Sequence, residues 1–263
     1  MNVYVEAHPT QLEPSWEDMN TWYQVQRQAR ILSLMKQKGL SSKHFPKLID
    51  SGKLLHVYKC SKETLEGRCD HPWCGIHILV TTPTGDSLST IYRNTGSFSP
   101  KEILGCCYDC LTALQSAHQV GIQHANITPD HILRVTEKGQ AHHVLIEWGH
   151  AILEEKDSPH ISLNYSSTDV LQEGRVYPVS DVESLVYVLF SLCGGTTPHF
   201  ENIESALQWR VRAWARRAIQ EVLGEASIVL KAFADYVNNL YGTPYAVDYD
   251  LWLNRIDRVL RTL

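Results

Sequence analysis

The hydrophobic and polar positions divide the chain into a strand-rich first part and a mostly helical remainder. Short runs of β-branched and aromatic residues at 2–6 and 76–81 predict strands, and a further strand is predicted within 44–60. Apolar positions recur three and four residues apart within 15–39. This spacing predicts an amphipathic helix between the strand at 2–6 and the strand within 44–60. The composition changes near Gly85, and we expect a boundary between two parts of the molecule there.

The helical remainder begins with a clear start signal. Ser99 is followed by proline and, three residues later, by Glu102, which predicts a capping box and a helix that ends near Gly121. Two apolar runs follow at 132–135 and 143–146, separated by a segment that contains EKGQ. A short glycine-containing connection between two such runs predicts a β-hairpin.

The last third of the sequence predicts four helices. Ser180 and Glu183 have the spacing of a second capping box, and the segment that follows is apolar nearly all round. A helix with apolar residues on every face is typical of a buried central position. Further helices are predicted at 203–223, 226–241 and 248–262.

Composition and charge narrow the functional classes. The chain has 263 residues, 43% hydrophobic and 20% charged, which is typical of a globular protein. The formal charge of −5 argues against nucleic-acid binding, which usually requires a basic surface. There is no apolar stretch long enough to span a membrane, and the N-terminus lacks the pattern of a signal peptide. We therefore expect a cytoplasmic or nuclear protein with reduced thiols.

Five segments, in the right order, resemble protein kinases, and within them the casein-kinase-one-like group. The segment IQHANITPDHIL resembles the kinase catalytic loop, H-R-D-x-x-x-x-N, and VLIEWGHA resembles the D-F-G region. SDVESLVYVLF resembles the D-D-L-E-S-L-x-Y-x-L helix of that group. TPTGDSLSTIY resembles its hinge, and FADYVNNLYGTPYAVDYDLWLNRI resembles its closing helices.

The resemblance implies an α+β, bilobal kinase-like fold. Residues 1–85 would form a reduced, strand-rich N-lobe, and residues 86–263 a larger, mostly helical C-lobe. Aligned in this way, the sequence starts at about the third strand of the N-lobe. We therefore expect the two strands that carry the glycine-rich loop to be missing.

The same resemblance indicates that the residues that carry the chemistry have been replaced. Phosphoryl transfer depends on positioning and charge neutralisation, so each replacement removes part of the mechanism. A neutral amide cannot accept the substrate proton, and a glutamate in place of the strand lysine repels phosphate. The replacements are Glu6 for the strand Lys, Gln28 for the helix Glu, Asn126 for the catalytic Asp, Thr128 for the loop Lys, His131 for the metal-binding Asn and Glu147 for the metal-binding Asp.

Residues with structural roles are retained where the chemical ones are lost. His124 matches the histidine that supports the loop backbone, and Asp181 matches the carboxylate that caps it. Gly149 matches the glycine of the turn in the D-F-G region. This combination favours a fold that is kept for its surface.

Two further clusters are candidate binding residues. The first lies in one polar insert and consists of Cys60, Cys69, His71 and Cys74. It could form a tetrahedral zinc site, although the spacing matches no standard zinc finger and the thiols could simply be free. Otherwise we expect no cofactor. The second is either a solvated helix face or a surface for an acidic partner, with tryptophan anchors: Trp209, Arg210, Arg212, Trp214, Arg216 and Arg217.

Three functional hypotheses follow. The first is a catalytically inactive pseudokinase that acts as a scaffold, decoy or allosteric regulator of a protein partner, which could itself be a kinase. The second is an atypical nucleotide- or metal-binding phosphotransferase in which Glu147 and His131 hold the metal. The third is a chain whose missing strands are supplied by a partner chain through strand addition to an open sheet edge.

Overall fold

The residues described by the computed structural model form two compact units. The description covers residues 3–7, 16–40, 42–54, 75–154, 157–243 and 245–263, without the side chains of 16–22. The first unit consists of Met1–Ser41, Pro46–Thr84 and Glu147–Gly149, and the second of Ser42–Phe45, Gly85–Ile146 and His150–Leu263.

A small antiparallel sheet and one long helix make up the first unit. The elements are β1 (Tyr4–Ala7), α1 (Trp16–Gln37), β2 (Lys47–Lys53) and β3 (His77–Thr82). The sheet has the order β1-β3-β2, so β1 and β2 are its two edges among the described residues. The helix lies against β3 and buries an apolar stripe that includes Val25, Leu32 and Met35. The two strands and the helix predicted at 2–6, 76–81 and 15–39 are confirmed to within a few residues.

The second unit begins with a three-stranded sheet beside a pair of helices. Its first elements are β4 (Asp86–Ser87), α2 (Leu88–Thr95), α3 (Pro100–Gln119), β5 (Ile132–Glu137) and β6 (Gln140–Leu145). The predicted hairpin is confirmed: β5 and β6 pair antiparallel around Lys138 and Gly139, which both have positive φ, at +52° and +79°. Two consecutive residues of that kind are typical of the tight turn that matches the twist of a hairpin.

Helices make up the rest of the second unit. They are α4 (Thr168–Glu173), α5 (Pro178–Leu192), α6 (Ile203–Ala215), α7 (Ala218–Ala226), α8 (Ile228–Leu240) and α9 (Tyr249–Leu260). The core is centred on α5, which packs against α3, α7 and α8 and is buried on nearly every face, as its apolar sequence predicts. None of the described helices is both long and apolar enough to cross a bilayer.

One of the two predicted capping boxes is present and the other is wrong. Ser99 Oγ accepts from the backbone N–H of Glu102 at 3.3 Å, and the Glu102 carboxylate accepts from the Ser99 N–H at 3.0 Å. In α5 the helix starts earlier, at Pro178, and Ser180 Oγ accepts from the backbone N–H of Tyr177. Glu183 does not cap this helix, since its carboxylate is bonded to residues outside the first turn.

The single helix predicted at 203–223 is also wrong. The chain forms α6 and α7 instead, separated at Arg216 and Arg217. Arg217 has φ of +59°, a left-handed conformation that a continuing helix cannot contain. The short helix α4 was not predicted, whereas α8 and α9 match the predictions at 226–241 and 248–262.

Candidate functional site

A buried carboxylate on α5 holds the backbone of the catalytic-loop segment. Asp181, which is 1% exposed, accepts hydrogen bonds from the backbone N–H groups of His124 at 2.6 Å and Ala125 at 2.8 Å. His118 of α3 adds a third bond through its Nε2 at 2.9 Å. Burial alone would raise the pKa of Asp181, but the bonds from His118 and the backbone outweigh it and hold the pKa below its ordinary value. The carboxylate is therefore ionised, and both of its oxygens accept hydrogen bonds.

The histidine of the loop serves as a structural connector. His124 is fully buried, its Nε2 lies 2.7 Å from the carbonyl of Ile146, and its Nδ1 accepts from the backbone N–H of Asn126. Since Nδ1 is an acceptor here, the proton must be on Nε2, which donates to Ile146. Burial lowers the pKa of His124 to about 4, so the ring is neutral near pH 7.

The loop residues that the kinase resemblance aligns with catalytic positions lie against the second unit's own interior. Asn126 is 6% exposed and Thr128 is 9% exposed, and both line a small cavity together with Asp181. His131 lies in a short 3-10 turn, and its Nδ1 is 2.8 Å from the carbonyl oxygen of Asn126. The three replacements thus contribute to packing or to the local hydrogen-bond network.

In the first unit, the uncharged side chain of Gln28 connects a strand residue to a backbone group. Gln28 on α1 donates from Nε2 to the Glu6 carboxylate at 3.3 Å and accepts from the backbone N–H of Gly149 through Oε1 at 3.2 Å. An amide can do both because it has a donor and an acceptor end. A side chain at Gly149 would lie 2.9 Å from Gln24 Oε1 and 3.2 Å from the Gln24 carbonyl oxygen, so Gln24 would have to shift to make room for it.

Two carboxylates of the first unit lie close to the phenol of Tyr4. Tyr4 on β1 has a raised pKa, first because of its burial and then because of the charges of Glu6 and Glu147. Glu147 itself has φ of +62°. Two carboxylates near one phenol are unfavourable for binding phosphate unless a cation neutralises them.

No group of three or more histidine, cysteine, aspartate or glutamate residues that could hold a metal ion occurs in the described part of the chain. The zinc candidates Cys60, Cys69, His71 and Cys74 lie outside the described residues. Of the described cysteines, Cys106, Cys107 and Cys110 are buried on α3 and free.

The structure separates the tryptophan and arginine candidates into two groups. Arg210 is 1% exposed, so it cannot belong to a contact surface in this structure. Its guanidinium donates to the carbonyls of Leu163 and Ser166 and lies 4.7 Å from the centre of the Tyr187 ring. Trp209 and Trp214 also pack inward, against the same tyrosine.

Only Arg212, Arg216 and Arg217 of that group are exposed. Arg217 forms an ion pair with Asp235 at 2.8 Å, so its charge is already compensated. The surface available to an acidic partner is therefore smaller than the sequence suggests.

The sequence reasoning missed two buried polar networks. On α3, Asp109 accepts from the backbone and the ring Nδ1 of His143 at 2.8 and 3.0 Å, and His44 donates to the His143 carbonyl. On α5, Glu183 accepts from Thr168 and from the Tyr187 hydroxyl at 2.6 Å. The sequence contained a signal for these networks: an acidic residue lies among apolar residues of a predicted helix at 109 and at 183. Buried charges are rarely left unpaired, so each of these residues indicates a buried partner.

Comparison with known proteins decides the family. The family described as fungal protein kinase matches residues 13–193, more than half of the chain. The chain belongs to this family. The match includes α1, the catalytic-loop segment and α5. The predicted membership of the protein kinase superfamily is confirmed, and the helices and small sheets form an α+β kinase-like fold.

More distant similarity connects this fungal-protein-kinase chain to plant kinases. The calcium and calcium/calmodulin-dependent serine/threonine-protein kinase DMI-3 of Medicago truncatula is 23% identical over 128 residues, which cover 47% of this chain and 24% of that protein. Calcium-dependent protein kinase 12 of Oryza sativa subsp. japonica is 25% identical over 137 residues, or 50% of this chain and 25% of that protein. The chain spans about a quarter of the length of these curated relatives.

Proposed function

We propose that this kinase-family chain is a bilobal pseudokinase of the casein-kinase-one-like type, which binds a protein partner and does not transfer phosphate. The observation that carries the proposal is the environment of Asn126. This residue stands where a kinase has its catalytic aspartate, it is an amide, and it is 6% exposed. An amide has no basic lone pair that could take the proton of a substrate hydroxyl at neutral pH.

Two ionisable side chains beside Asn126, Asp181 and His124, are engaged in holding the loop. The Asp181 carboxylate is close, but it already accepts from two backbone N–H groups and from His118. His124 is committed at both ring nitrogens, to Ile146 and Asn126. A general base must reach the proton that it abstracts with a free lone pair, and the bonds of these two groups are directed at the loop and at α3 instead.

The uncharged link in the first unit supports the same proposal. A kinase pairs a lysine with a helix glutamate to hold the phosphates of the nucleotide. Here Gln28 connects Glu6 to the backbone of Gly149, so the link remains and its positive charge is gone. Together with the two carboxylates close to Tyr4, this arrangement disfavours binding of ATP.

The open edges of the first unit's sheet support a role in protein interaction. Tyr4 and Val5 of β1 are 58% and 55% exposed, and Ile49 of β2 is 45% exposed. Exposed apolar side chains on strands that are edges among the described residues are a surface that another chain can cover by adding a strand. We propose that the partner binds to this sheet.

Nucleotide binding and phosphate transfer test the catalytic part of the proposal. We expect no change in melting temperature with ATP and Mg²⁺ or Mn²⁺, and no incorporation of labelled phosphate into the chain or into a general protein substrate. A ligand at about 100 times its Kd would stabilise the fold by about 2.7 kcal/mol, which a melting experiment detects.

Glu147→Ala is the matched control, because Glu147 is the one hard oxygen ligand that remains at the metal positions. Incorporation that is lost in this variant would show genuine catalysis and would overturn the proposal. Incorporation that is equal in both proteins indicates a contaminating kinase.

A further inference from the structure

The cavity behind the catalytic-loop segment has the size and the polarity of a binding site for one small molecule. It offers about 10 Å³, roughly the volume that a single water molecule requires. Its wall combines apolar and polar groups. The hydroxyl and amide groups that line it come from Asn126, Thr128, Ser162, Ser166, Ser180 and Ser184.

Two oxygen atoms in this wall have no hydrogen-bond partner among the described residues. They are Asn126 Oδ1 and Thr128 Oγ1, and both are buried. Both side chains are more than nine-tenths buried, at 6% and 9% exposure. Leaving a buried polar atom unpaired is costly, and native proteins usually satisfy such atoms with protein groups or with ordered water.

The serine hydroxyls around the cavity are engaged elsewhere. Ser166 Oγ accepts from the backbone N–H of Ser162 and donates to the His160 carbonyl. Ser184 Oγ donates to the Ser180 carbonyl, and Ser180 Oγ accepts from the backbone N–H of Tyr177. None of these bonds reaches Asn126 or Thr128, so the missing donor must come from a molecule inside the cavity.

The chemistry of the lining favours water over a cation. A carbonyl oxygen can only accept, so Asn126 Oδ1 requires a hydrogen-bond donor or a positive charge. A divalent cation would need several free oxygen ligands, including a carboxylate. The only carboxylate in the lining belongs to Asp181, and both of its oxygens already accept from His118 and from the backbone of the loop.

We propose that one buried water molecule bridges Asn126 Oδ1 and Thr128 Oγ1 and that it is part of the folded structure. The water donates to the amide oxygen and exchanges a second bond with the threonine hydroxyl. The positions of the lost catalytic Asp and loop Lys are then joined to each other through this water, inside the second unit. This inference goes beyond the proposed function, because it holds whether or not the chain transfers phosphate.

High-resolution crystal structures of the wild-type chain and of the Asn126→Leu/Thr128→Val double variant test the proposal. In the wild type we expect a density peak at about 2.7–3.2 Å from both oxygens, and in the double variant no peak at that position. A wild-type map without the peak overturns the proposal. A peak with metal-ligand distances near 2.0–2.6 Å overturns it as well, since it would be a cation.

Melting temperatures of the single and double variants provide a second test. Each single variant leaves one oxygen without its partner, and we expect it to melt about 2–4 °C lower than the wild type. The double variant removes both acceptors and hence the need for water, so its loss should be clearly smaller than the sum of the two. Losses that add fully would contradict a shared water.

Thr112→Val provides the matched control. Thr112 lies on α3, and its hydroxyl donates within its own helix to the Tyr108 carbonyl. Combined with Asn126→Leu, this change should give an additive loss, because the two sites share no partner. If Thr112→Val were as non-additive with Asn126→Leu as Thr128→Val is, the effect would not be specific to the cavity. That result would overturn the proposal.

Discussion

The catalytic-loop segment contains two kinds of position that differ sharply. Its backbone is held by Asp181, whose carboxylate makes three hydrogen bonds and is ionised. Asn126 and Thr128 of the same segment are neutral and buried, and their side-chain oxygens have no protein partner among the described residues. The bonded backbone, here called the frame, is thus held at several points by the protein itself, whereas the side-chain oxygens at 126 and 128 are not.

For the proposed pseudokinase, this difference indicates which constraints would persist without catalysis. The bonds of Asp181 fix Ala125 in a left-handed conformation, with φ of +62°, that a residue other than glycine rarely adopts. Losing them would release the loop. By contrast, a change from a charged to a neutral side chain at 126 or 128 leaves the backbone in place. Selection for a binding surface alone would preserve the bonds of Asp181 to the loop. It would not preserve the charged side chains at 126 and 128.

The largest expected loss of stability comes from a change at Asp181, whose carboxylate holds the backbone of the catalytic-loop segment. Asp181→Asn places an amide NH₂ group opposite donors that need an acceptor, and it removes the charge that His118 and the backbone are arranged around. We expect the free energy of unfolding to fall by about 3–5 kcal/mol, as for other buried pairs that lose one partner. Denaturant unfolding of the variant and the wild type measures it.

Asp257→Asn on α9 is the control. Its partner Arg261 is exposed and lies one turn away, so the loss should be only about 0.3–0.5 kcal/mol. If Asp181→Asn cost no more than this control, Asp181 would not be the residue that holds the loop.

A smaller loss of stability is expected when His124 is protonated. His124 is neutral in the fold with a pKa of about 4, and in the unfolded chain its pKa returns to about 6.5. Between these values the unfolded state binds more protons, so stability is full above pH 6.5 and decreases as the pH falls towards 4. The contribution of His124 over this range is about 3 kcal/mol.

Unfolding measured at several pH values tests this dependence. His124→Gln should flatten it, whereas His199→Gln, which changes an exposed histidine, should leave it unchanged. His143 acts in the opposite direction: burial would lower its pKa, but Cys106 and Asp109 outweigh burial and raise it. An unchanged slope in His124→Gln would show that another group dominates.

The smallest expected change is at the chemical position itself. Asn126→Asp restores the residue type of an active kinase but buries a carboxylate in a closed cavity, so we expect a loss of about 1–3 kcal/mol at pH 7 and no phosphate transfer. Asn202→Asp should cost almost nothing, since aspartate caps a helix as well as asparagine does. ATP-dependent phosphate transfer by Asn126→Asp would show that the rest of the machinery is intact.

Much of the local structure could be predicted because its signals lie close together in the sequence. The Ser99–Glu102 capping box spans three residues, and the β5–β6 hairpin is determined by its turn and by two apolar runs. The burial of α5 follows from an apolar pattern on all faces. In the site, the retained His124 and Asp181 were identified from their positions in the kinase pattern, and their bonds match that structural role.

What could not be predicted depends on partners that are far apart in the sequence. Glu183 fits a capping box by spacing, but Thr168, fifteen residues earlier, takes its carboxylate. Arg210 lies in a run of arginines typical of a solvated face, yet the carbonyls of Leu163 and Ser166 bury it. The break between α6 and α7 depends on the left-handed backbone of Arg217, which its residue type does not reveal.

The turn at Lys138 and Gly139 has a practical consequence. It joins β5 and β6 through residues that are exposed, and an insertion beside Gly139 leaves in place the glycine that the φ of +79° favours. Exposed hairpin tips of this kind tolerate insertions well. A short peptide tag or a photo-crosslinking residue placed there would allow partners to be captured from cell extracts while both ends of the chain, the sheet edges of the first unit and the buried frame of the loop remain unmodified.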